Sequence, residues 1–131
     1  MRVISPYLEI RDDRGSFSGI INSGTWGEAN YVTTRKGEVR GGHYHKYTEE
    51  LFFIIEGNIS IIISDTSGDN KNIFEVKKGD IFIVEPYEVH TFTCLENSSW
   101  INFLSERINA VTTKRVVDNL SCPPAILEPP C

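Results

Sequence analysis

Residues 37–57 read GEVRGGHYHKYTEELFFIIEG, and this stretch carries the densest chemical information in the chain. His43 and His45 are two residues apart, so both side chains would point to the same face of a β-strand. Glu50 follows a short polar turn and opens a second, apolar strand that runs to Ile55. The stretch therefore predicts two consecutive strands that direct two imidazoles and one carboxylate into a single pocket.

A third imidazole extends this set. His90 lies far along the chain, at the start of another predicted strand, and with it all three histidines of the sequence belong to one pattern. Three imidazole nitrogens and one carboxylate suit zinc, manganese, iron or nickel, and water can fill the open positions. We expect a bound divalent metal, with zinc as the first candidate and with four ligands: His43, His45, Glu50 and His90.

The sequence around this stretch is a succession of short apolar segments separated by turn residues, which indicates an all-β sandwich or barrel. No window has the spacing of an amphipathic helix. The 131 residues fit one domain, and we predict a barrel over residues 1–120 and a Pro-rich tail over 121–131. Leu51 to Ile55 is apolar on both faces, which predicts contact with a second sheet or a subunit. The other predicted strands are Ile59–Ser64, Ile81–Val84, Val89–Leu95 and Trp100–Leu104.

Composition excludes several classes of function. The formal net charge of -5 argues against nucleic acid as the partner, because phosphate binding needs a basic face. No segment approaches the roughly 20 apolar residues of a membrane span, and the first residues lack the apolar run of a signal peptide. Three widely spaced cysteines are typical of reduced thiols. We therefore expect a cytoplasmic protein that contacts neither nucleic acid nor membrane.

The spacing of the opening stretch resembles the first cupin motif, G-x5-H-x-H-x4-E-x6-G, at every position. The second cupin motif is matched at Gly79 and His90, while Glu85, Tyr87 and Cys94 stand where its Pro, Gly and Asn would be. The resemblance implies a single-domain cupin fold, which is a double-stranded β-helix or jelly-roll barrel.

Two further segments resemble nucleotide-sugar cupins. Residues 40–43 look like their R-G-x-H segment, and residues 12–17 look like their D-x-R-G-x-F segment. Both recur in dTDP-4-dehydrorhamnose 3,5-epimerases and in 3,4-ketoisomerases. Residues 40–57 look closer still to the C-terminal zinc cupin domain of capsular polysaccharide reductase/epimerases. This resemblance implies a homodimer that epimerises or isomerises a nucleotide-linked 4-keto-6-deoxy sugar in surface polysaccharide biosynthesis.

The resemblance also implies residue roles. Arg14 and Arg40 match the family arginines and would hold the substrate diphosphate, because guanidinium groups bind phosphate in a bidentate manner. Independently of the resemblance, Lys46 is either a solvated turn residue or a further substrate contact. His43 matches the general base of the metal-free epimerases. Because a metal-bound nitrogen cannot accept a proton, a His43 that binds metal leaves the base to a metal-bound hydroxide, Glu85 or a tyrosine such as Tyr87.

Strict strand alternation would place Arg40 on the face opposite His43. The pair Gly41-Gly42 permits a β-bulge, which would return both side chains to one face. Two other functions stay open: an iron- or nickel-dependent dioxygenase, which would use the same four ligands, and a non-catalytic sugar-binding module, whose binding would not depend on the metal. Gly19 stands where an acidic residue often follows the D-x-R-G-x-F segment, which leaves the substrate contacts at that end open.

Overall fold

The computed structural model describes residues 1–108 and 113–115, and these residues form twelve β-strands and no helix. Accordingly, the described part of the chain has no helix that is long and apolar enough to cross a membrane. The strands are β1 Arg2–Ile4, β2 Leu8–Asp12, β3 Gly15–Gly19, β4 Glu28–Thr34, β5 Val39–His45, β6 Glu50–Glu56, β7 Asn58–Ser64, β8 Asn72–Lys77, β9 Ile81–Val84, β10 Val89–Cys94, β11 Ser98–Leu104 and β12 Thr113–Arg115.

Ten of these strands form two five-stranded antiparallel sheets, with the orders β1-β9-β6-β11-β4 and β12-β5-β10-β7-β8. The remaining two, β2 and β3, make a separate hairpin. The consecutive strands β5 and β6 lie in different sheets, so the bend between them crosses from one sheet to the other. This crossing brings the two halves of the 37–57 stretch face to face.

The two sheets enclose one apolar core to which both contribute. β-branched and aromatic side chains favour such half-buried strands because they pack well on a pleated surface. The core residues are Phe52, Ile54, Phe82, Val84 and Trp100 from the first sheet and Ile59, Ile61, Ile63, Val76, Phe92 and Cys94 from the second.

The outer face of the first sheet is also partly covered. Leu51 is buried there, and the segment before β4 packs against it through Ile20, Ile21 and Trp26. Both faces of the Leu51–Ile55 strand are therefore in apolar contact, but the predicted cover of the outer face, a second sheet or a subunit, is not what the structure shows. The cover comes from the chain's own N-terminal segment.

The predicted strands are confirmed to within two or three residues, and the β-bulge is confirmed as well. The pairing of β10 with β5 shifts register between His90 and Thr91, which face His43 and Gly41, so Gly42 is the extra residue. Gly41 and Gly42 have φ of 92° and 73°, a region that favours glycine. The expected barrel end at residue 120 and the 121–131 tail lie outside the described residues.

Candidate metal centre

Four buried side chains converge between the two sheets. His43 and His45 come from β5 and His90 from β10 of one sheet, while Glu50 comes from β6 of the other. One ligand atom from each residue lies within 4.8 Å of the others. All four side chains are at most 4% exposed. The structure thus brings together the four residues predicted as metal ligands.

The strand register explains this convergence. His90 pairs directly with His43 across β10 and β5, so their side chains share one face. Their ring centroids are 4.6 Å apart, and those of His43 and His45 are 5.0 Å apart. Glu50 is the first residue of β6 in the opposite sheet, directly after the bend that joins β5 to β6.

The carboxylate faces the imidazoles through one oxygen. Glu50 Oε1 lies 2.5 Å from His45 Nε2 and 3.4 Å from His90 Nε2. The other ring nitrogen of His90, Nδ1, lies 3.0 Å from the backbone carbonyl of Glu88. A carbonyl only accepts, so Nδ1 carries a proton and Nε2 is the ring nitrogen that faces Glu50 and the other ligand atoms. Ligating histidines are commonly oriented in this way.

The electrostatics of the centre depend on its charges as well as its burial. Burial alone raises the pKa of the Glu50 carboxyl, but hydrogen bonds and charge from His45 and His90 outweigh burial and hold this pKa well below its ordinary value. Burial alone lowers the pKa of His90, yet Glu50 and the Glu88 backbone outweigh it and raise that pKa. A buried ionised carboxylate among three imidazoles is a donor set that fits a divalent metal.

A small cavity adjoins this centre. Its volume is about 20 Å³, which is enough for one water-sized group and too little for a sugar ring. Besides residues of the metal centre, its lining includes three aromatic and two polar side chains. Those lining residues are Phe52, Phe92, Trp100, Arg40 and Asn102.

Arg40 lies at this cavity with His43, as the bulge predicts. Its Nε donates to Thr34 Oγ1 at 2.6 Å and its Nη2 donates to the Thr33 carbonyl at 3.1 Å. A guanidinium has five N–H donors, so donors are left for a ligand. The two contacts to β4 hold Arg40 beside the centre.

The other predicted site residues lie outside the lining of this cavity. The Glu85 carboxylate accepts hydrogen bonds from Arg2 at 3.1 and 3.3 Å. Lys46 is half-buried in the bend after β5. Tyr87 is half-exposed, stacks on Tyr44 with ring centroids 5.7 Å apart, and donates its backbone N–H to the His45 carbonyl at 2.8 Å.

Arg14 belongs to a different surface. It lies in the β2–β3 hairpin turn, is 90% exposed and pairs with Asp12 at 2.6 Å. It lines a groove of about 370 Å³ together with Leu8, Ile10 and Phe17. Within the described residues the structure therefore does not bring Arg14 and Arg40 into one pocket.

Asn102 is a residue of the site that the sequence interpretation missed. It is 1% exposed, and its Nδ2 donates to Glu50 Oε2 at 3.1 Å. A signal was present, since Trp100, Asn102 and Leu104 alternate on the inward face of one strand. An amide at an inward position of an apolar strand needs a buried partner.

Comparison with known proteins supports the cupin resemblance. The family model described as the polysaccharide biosynthesis C-terminal domain matches residues 10–106. None of the curated proteins shows significant similarity to the chain. Solved structures, by contrast, are similar over most of the chain.

Three of these structures are informative. The dTDP-4-dehydrorhamnose 3,5-epimerase of Bacillus anthracis, with TDP and PPi bound, is 19% identical, has a TM-score of 0.76, and is matched over 98% of this chain and 86% of its own. The WlaRB TDP-quinovose 3,4-ketoisomerase of Campylobacter jejuni is 19% identical, with a TM-score of 0.77 and coverage of 87% and 91%. The capsular polysaccharide assembling protein CapF of Staphylococcus aureus is 22% identical, with a TM-score of 0.65 and coverage of 86% and 33%.

At these identities the likeness establishes the fold, and the predicted cupin fold is confirmed. The chain spans about a third of the length of CapF.

Proposed function

The chain belongs to the polysaccharide biosynthesis C-terminal domain family, and from that premise we propose that it is an epimerase or ketoisomerase of a nucleotide-linked 4-keto-6-deoxy sugar. The observation that carries the proposal is the buried cluster of three histidines and Glu50 with Arg40 at the same small cavity. We place the reaction in the cytoplasm, where nucleotide sugars are soluble substrates.

The chemistry of such a substrate fits these residues. A C–H bond beside a ketone is acidic because the resulting negative charge moves to the carbonyl oxygen. Epimerisation removes that proton and returns one to the other face, while keto-isomerisation returns it elsewhere. A site for this reaction needs a stabiliser for the oxygen and a group that moves the proton.

We assign the metal to His43, His45, Glu50 and His90, with zinc as the first candidate and manganese, iron or nickel as alternatives. When bound, a divalent ion supplies Lewis-acid polarisation of the ketone. Arg40 donates its remaining N–H groups to the sugar oxygen at which charge develops. Its guanidinium is already held by β4, so little reorganisation is needed as the charge forms.

The cavity volume constrains how a sugar binds. About 20 Å³ admits a single polar group from the carbonyl end of the substrate and not its ring. The ring and the nucleotide therefore lie outside the cavity. There we assign Arg14, which matches a family motif, and Lys46, which lies in the bend after β5, as contacts to the diphosphate and the nucleotide.

Proton transfer needs a group outside the ligand set once His43 is a ligand. Of the two side-chain candidates, Tyr87 is better placed, because its backbone bonds to the carbonyl of the ligand His45 while Glu85 is ion-paired with Arg2. Tyr87 also has φ of 65°, a strained conformation for a tyrosine. We therefore assign Tyr87 as the acid or base at the rim.

Tyr87→Phe is expected to slow substrate-dependent hydrogen exchange by at least about 100-fold, the usual contribution of a positioned acid or base. Metal content should not change, because the phenol is not a ligand. Tyr44→Phe is the matched control, since it removes a hydroxyl from the same stacked pair. Equal rates in Tyr87→Phe and wild type would return the base to Glu85.

We also propose a homodimer formed through the β2–β3 hairpin. Among the described residues, this hairpin is not part of either five-stranded sheet. Ile10 and Phe17 pair directly across the hairpin, so their side chains share one face. Their side chains are 48% and 56% exposed, respectively. Such a contiguous apolar surface is typical of an interaction site.

Phe17→Glu is expected to convert the dimer to a monomer, because a charge at the centre of an apolar contact loses its hydration. Light scattering coupled to size exclusion measures the mass. Ile73→Glu is the control, because Ile73 is 73% exposed on β8, outside the hairpin. A monomeric wild type, or a Phe17→Glu dimer, would contradict this interface.

Hydrogen exchange in deuterated water tests the proposed function directly. The zinc-loaded protein is incubated with dTDP- and UDP-linked 4-keto-6-deoxy sugars, and the C3 and C5 proton signals are followed by NMR. Loss of either signal identifies the carbon that is attacked. Absence of exchange with every sugar would move the assignment to a dioxygenase, tested by substrate-dependent oxygen uptake, or to a binding module.

A further inference from the structure

The buried side-chain amide of Asn102 contacts Glu50 of the metal centre and lines the small cavity. It lies on β11, paired with Phe52 on one side and Asn30 on the other. It is 1% exposed and lines the same cavity as Arg40 and His43. Its neighbours on the inward face, Trp100 and Leu104, are apolar core residues.

The amide nitrogen of Asn102 orients Glu50. Nδ2 donates to Glu50 Oε2 at 3.1 Å, while Oε1 of the same carboxylate faces the imidazoles of His45 and His90. An ionised carboxylate only accepts hydrogen bonds, so the nitrogen of the amide must be the atom that faces it. Asn102 therefore fixes which carboxylate oxygen is directed at the three histidines.

The second polar atom of the Asn102 amide is its oxygen, Oδ1, which does not face Glu50. Oδ1 is buried and has no hydrogen-bond partner among the residues that the structure describes. Buried carbonyl oxygens are almost always hydrogen-bonded, because the loss of water is otherwise uncompensated. A cavity of about 20 Å³ is adjacent, large enough for one donor group such as a hydroxyl.

We propose that Asn102 is a positioning and specificity residue: Nδ2 orients Glu50 for the metal, and Oδ1 accepts a hydrogen bond from a hydroxyl that the ligand carries beside its carbonyl. The second half rests on the proposed function, since it identifies the substrate as a 4-keto sugar with a hydroxyl on the carbon beside the ketone. The first half concerns the metal centre alone.

The metal half is tested with Zn²⁺ and Co²⁺ as the probes. Asn102→Leu keeps the shape and removes both polar atoms. It should weaken Zn²⁺ binding by about 10- to 100-fold, the usual effect of losing a group that orients a ligand. It should also shift the visible absorption of the Co²⁺ protein, which reports coordination geometry. Asn102→Ser serves as a second variant if the leucine protein does not fold.

Asn30→Leu is the matched control. Asn30 faces Asn102 across the β4–β11 pair, but its Nδ2 donates to Glu28 at 2.9 Å. This variant should keep the wild-type Zn²⁺ affinity and Co²⁺ spectrum. Unchanged affinity and spectrum in folded Asn102→Leu or Asn102→Ser, or an equal change in Asn30→Leu, would overturn the orienting role.

The ligand half is tested by calorimetric binding of two sugars to the Zn²⁺ protein: a dTDP-linked 4-keto-6-deoxy sugar and its 3-deoxy counterpart. Wild type should prefer the hydroxylated sugar by at least about tenfold, because a buried acceptor left unpaired penalises the analogue. Asn102→Leu should reduce this ratio to near one. Equal binding of both sugars to wild type overturns the specificity role. Failure of the proposed function is distinguishable, because neither sugar then binds while the metal results are unaffected.

Discussion

Glu50→Gln is expected to weaken Zn²⁺ binding by at least about 100-fold, since loss of a group that merely orients a ligand costs 10- to 100-fold. Glu50 supplies the one carboxylate of the four-residue centre. Its Oε1 lies against the Nε2 atoms of His45 and His90, so its charge is at the centre of the cluster. A glutamine keeps the volume but replaces that charge with a neutral amide. Competition with a coloured chelator at neutral pH measures the dissociation constant.

Glu49→Gln is the matched control for this prediction. Glu49 is the preceding residue, but its carboxylate is partly exposed and lies 3.7 Å from Arg2. The same change there should leave Zn²⁺ affinity within about twofold, because exposed ion pairs contribute little. A Glu50→Gln protein that binds Zn²⁺ as tightly as wild type would show that the metal is not held at this centre.

The local part of the metal centre was predictable because its geometry follows from strand periodicity, whereas the distant His90 was assigned to it from the cupin spacing. The two-residue period of a strand aligns His43 with His45, and the short polar turn brings Glu50 back toward them. The bulge was predictable for a similar reason, since two adjacent glycines permit backbone angles that other residues avoid. These features need no knowledge of distant contacts.

Contacts between distant segments were not predictable in the same way. Arg2 meets Glu85 across 83 positions, and Asn102 meets Glu50 across 52 positions. Neither pair has a local sequence signature, because each depends on which strands become neighbours in the two sheets. The interpretation of Glu85 as a base therefore missed that its carboxylate is already paired.

A second physical reason explains why some strands were not predicted from the sequence. The β2–β3 hairpin is largely exposed and β4 alternates between exposed and partly buried residues, so neither has the continuous apolar run that marked the inner strands. The cavity volume was also beyond prediction, because it depends on how three aromatic rings, Phe52, Phe92 and Trp100, pack across the core. Sequence patterns indicate which residues face inward, but they do not determine the volume of the cavity left between those side chains.

Gly41→Ala is expected to lower the free energy of unfolding by about 3 kcal/mol or more, through strain and overpacking together. Gly41 has φ of 92°, and a Cβ atom there would lie 2.4 Å from the His90 carbonyl oxygen. Because that oxygen belongs to the backbone of β10, it can move away only if the strand moves. Strand β10 also carries the metal ligand His90. We therefore expect Zn²⁺ affinity to fall with stability. Denaturant unfolding of the metal-free protein measures the first effect and chelator competition the second.

Gly37→Ala separates the two causes. Gly37 has φ of 87°, nearly the same backbone strain, but among the described residues no atom lies within 4 Å of the position that an added methyl group would occupy. Its cost should be about 1 kcal/mol, which is the strain contribution alone, and Zn²⁺ affinity should not change. Since both variants add the same methyl group, the difference between them measures the contact with His90. Equal costs, or Gly41→Ala with unaltered Zn²⁺ affinity, would show that the bulge does not hold Arg40 and His90 in register.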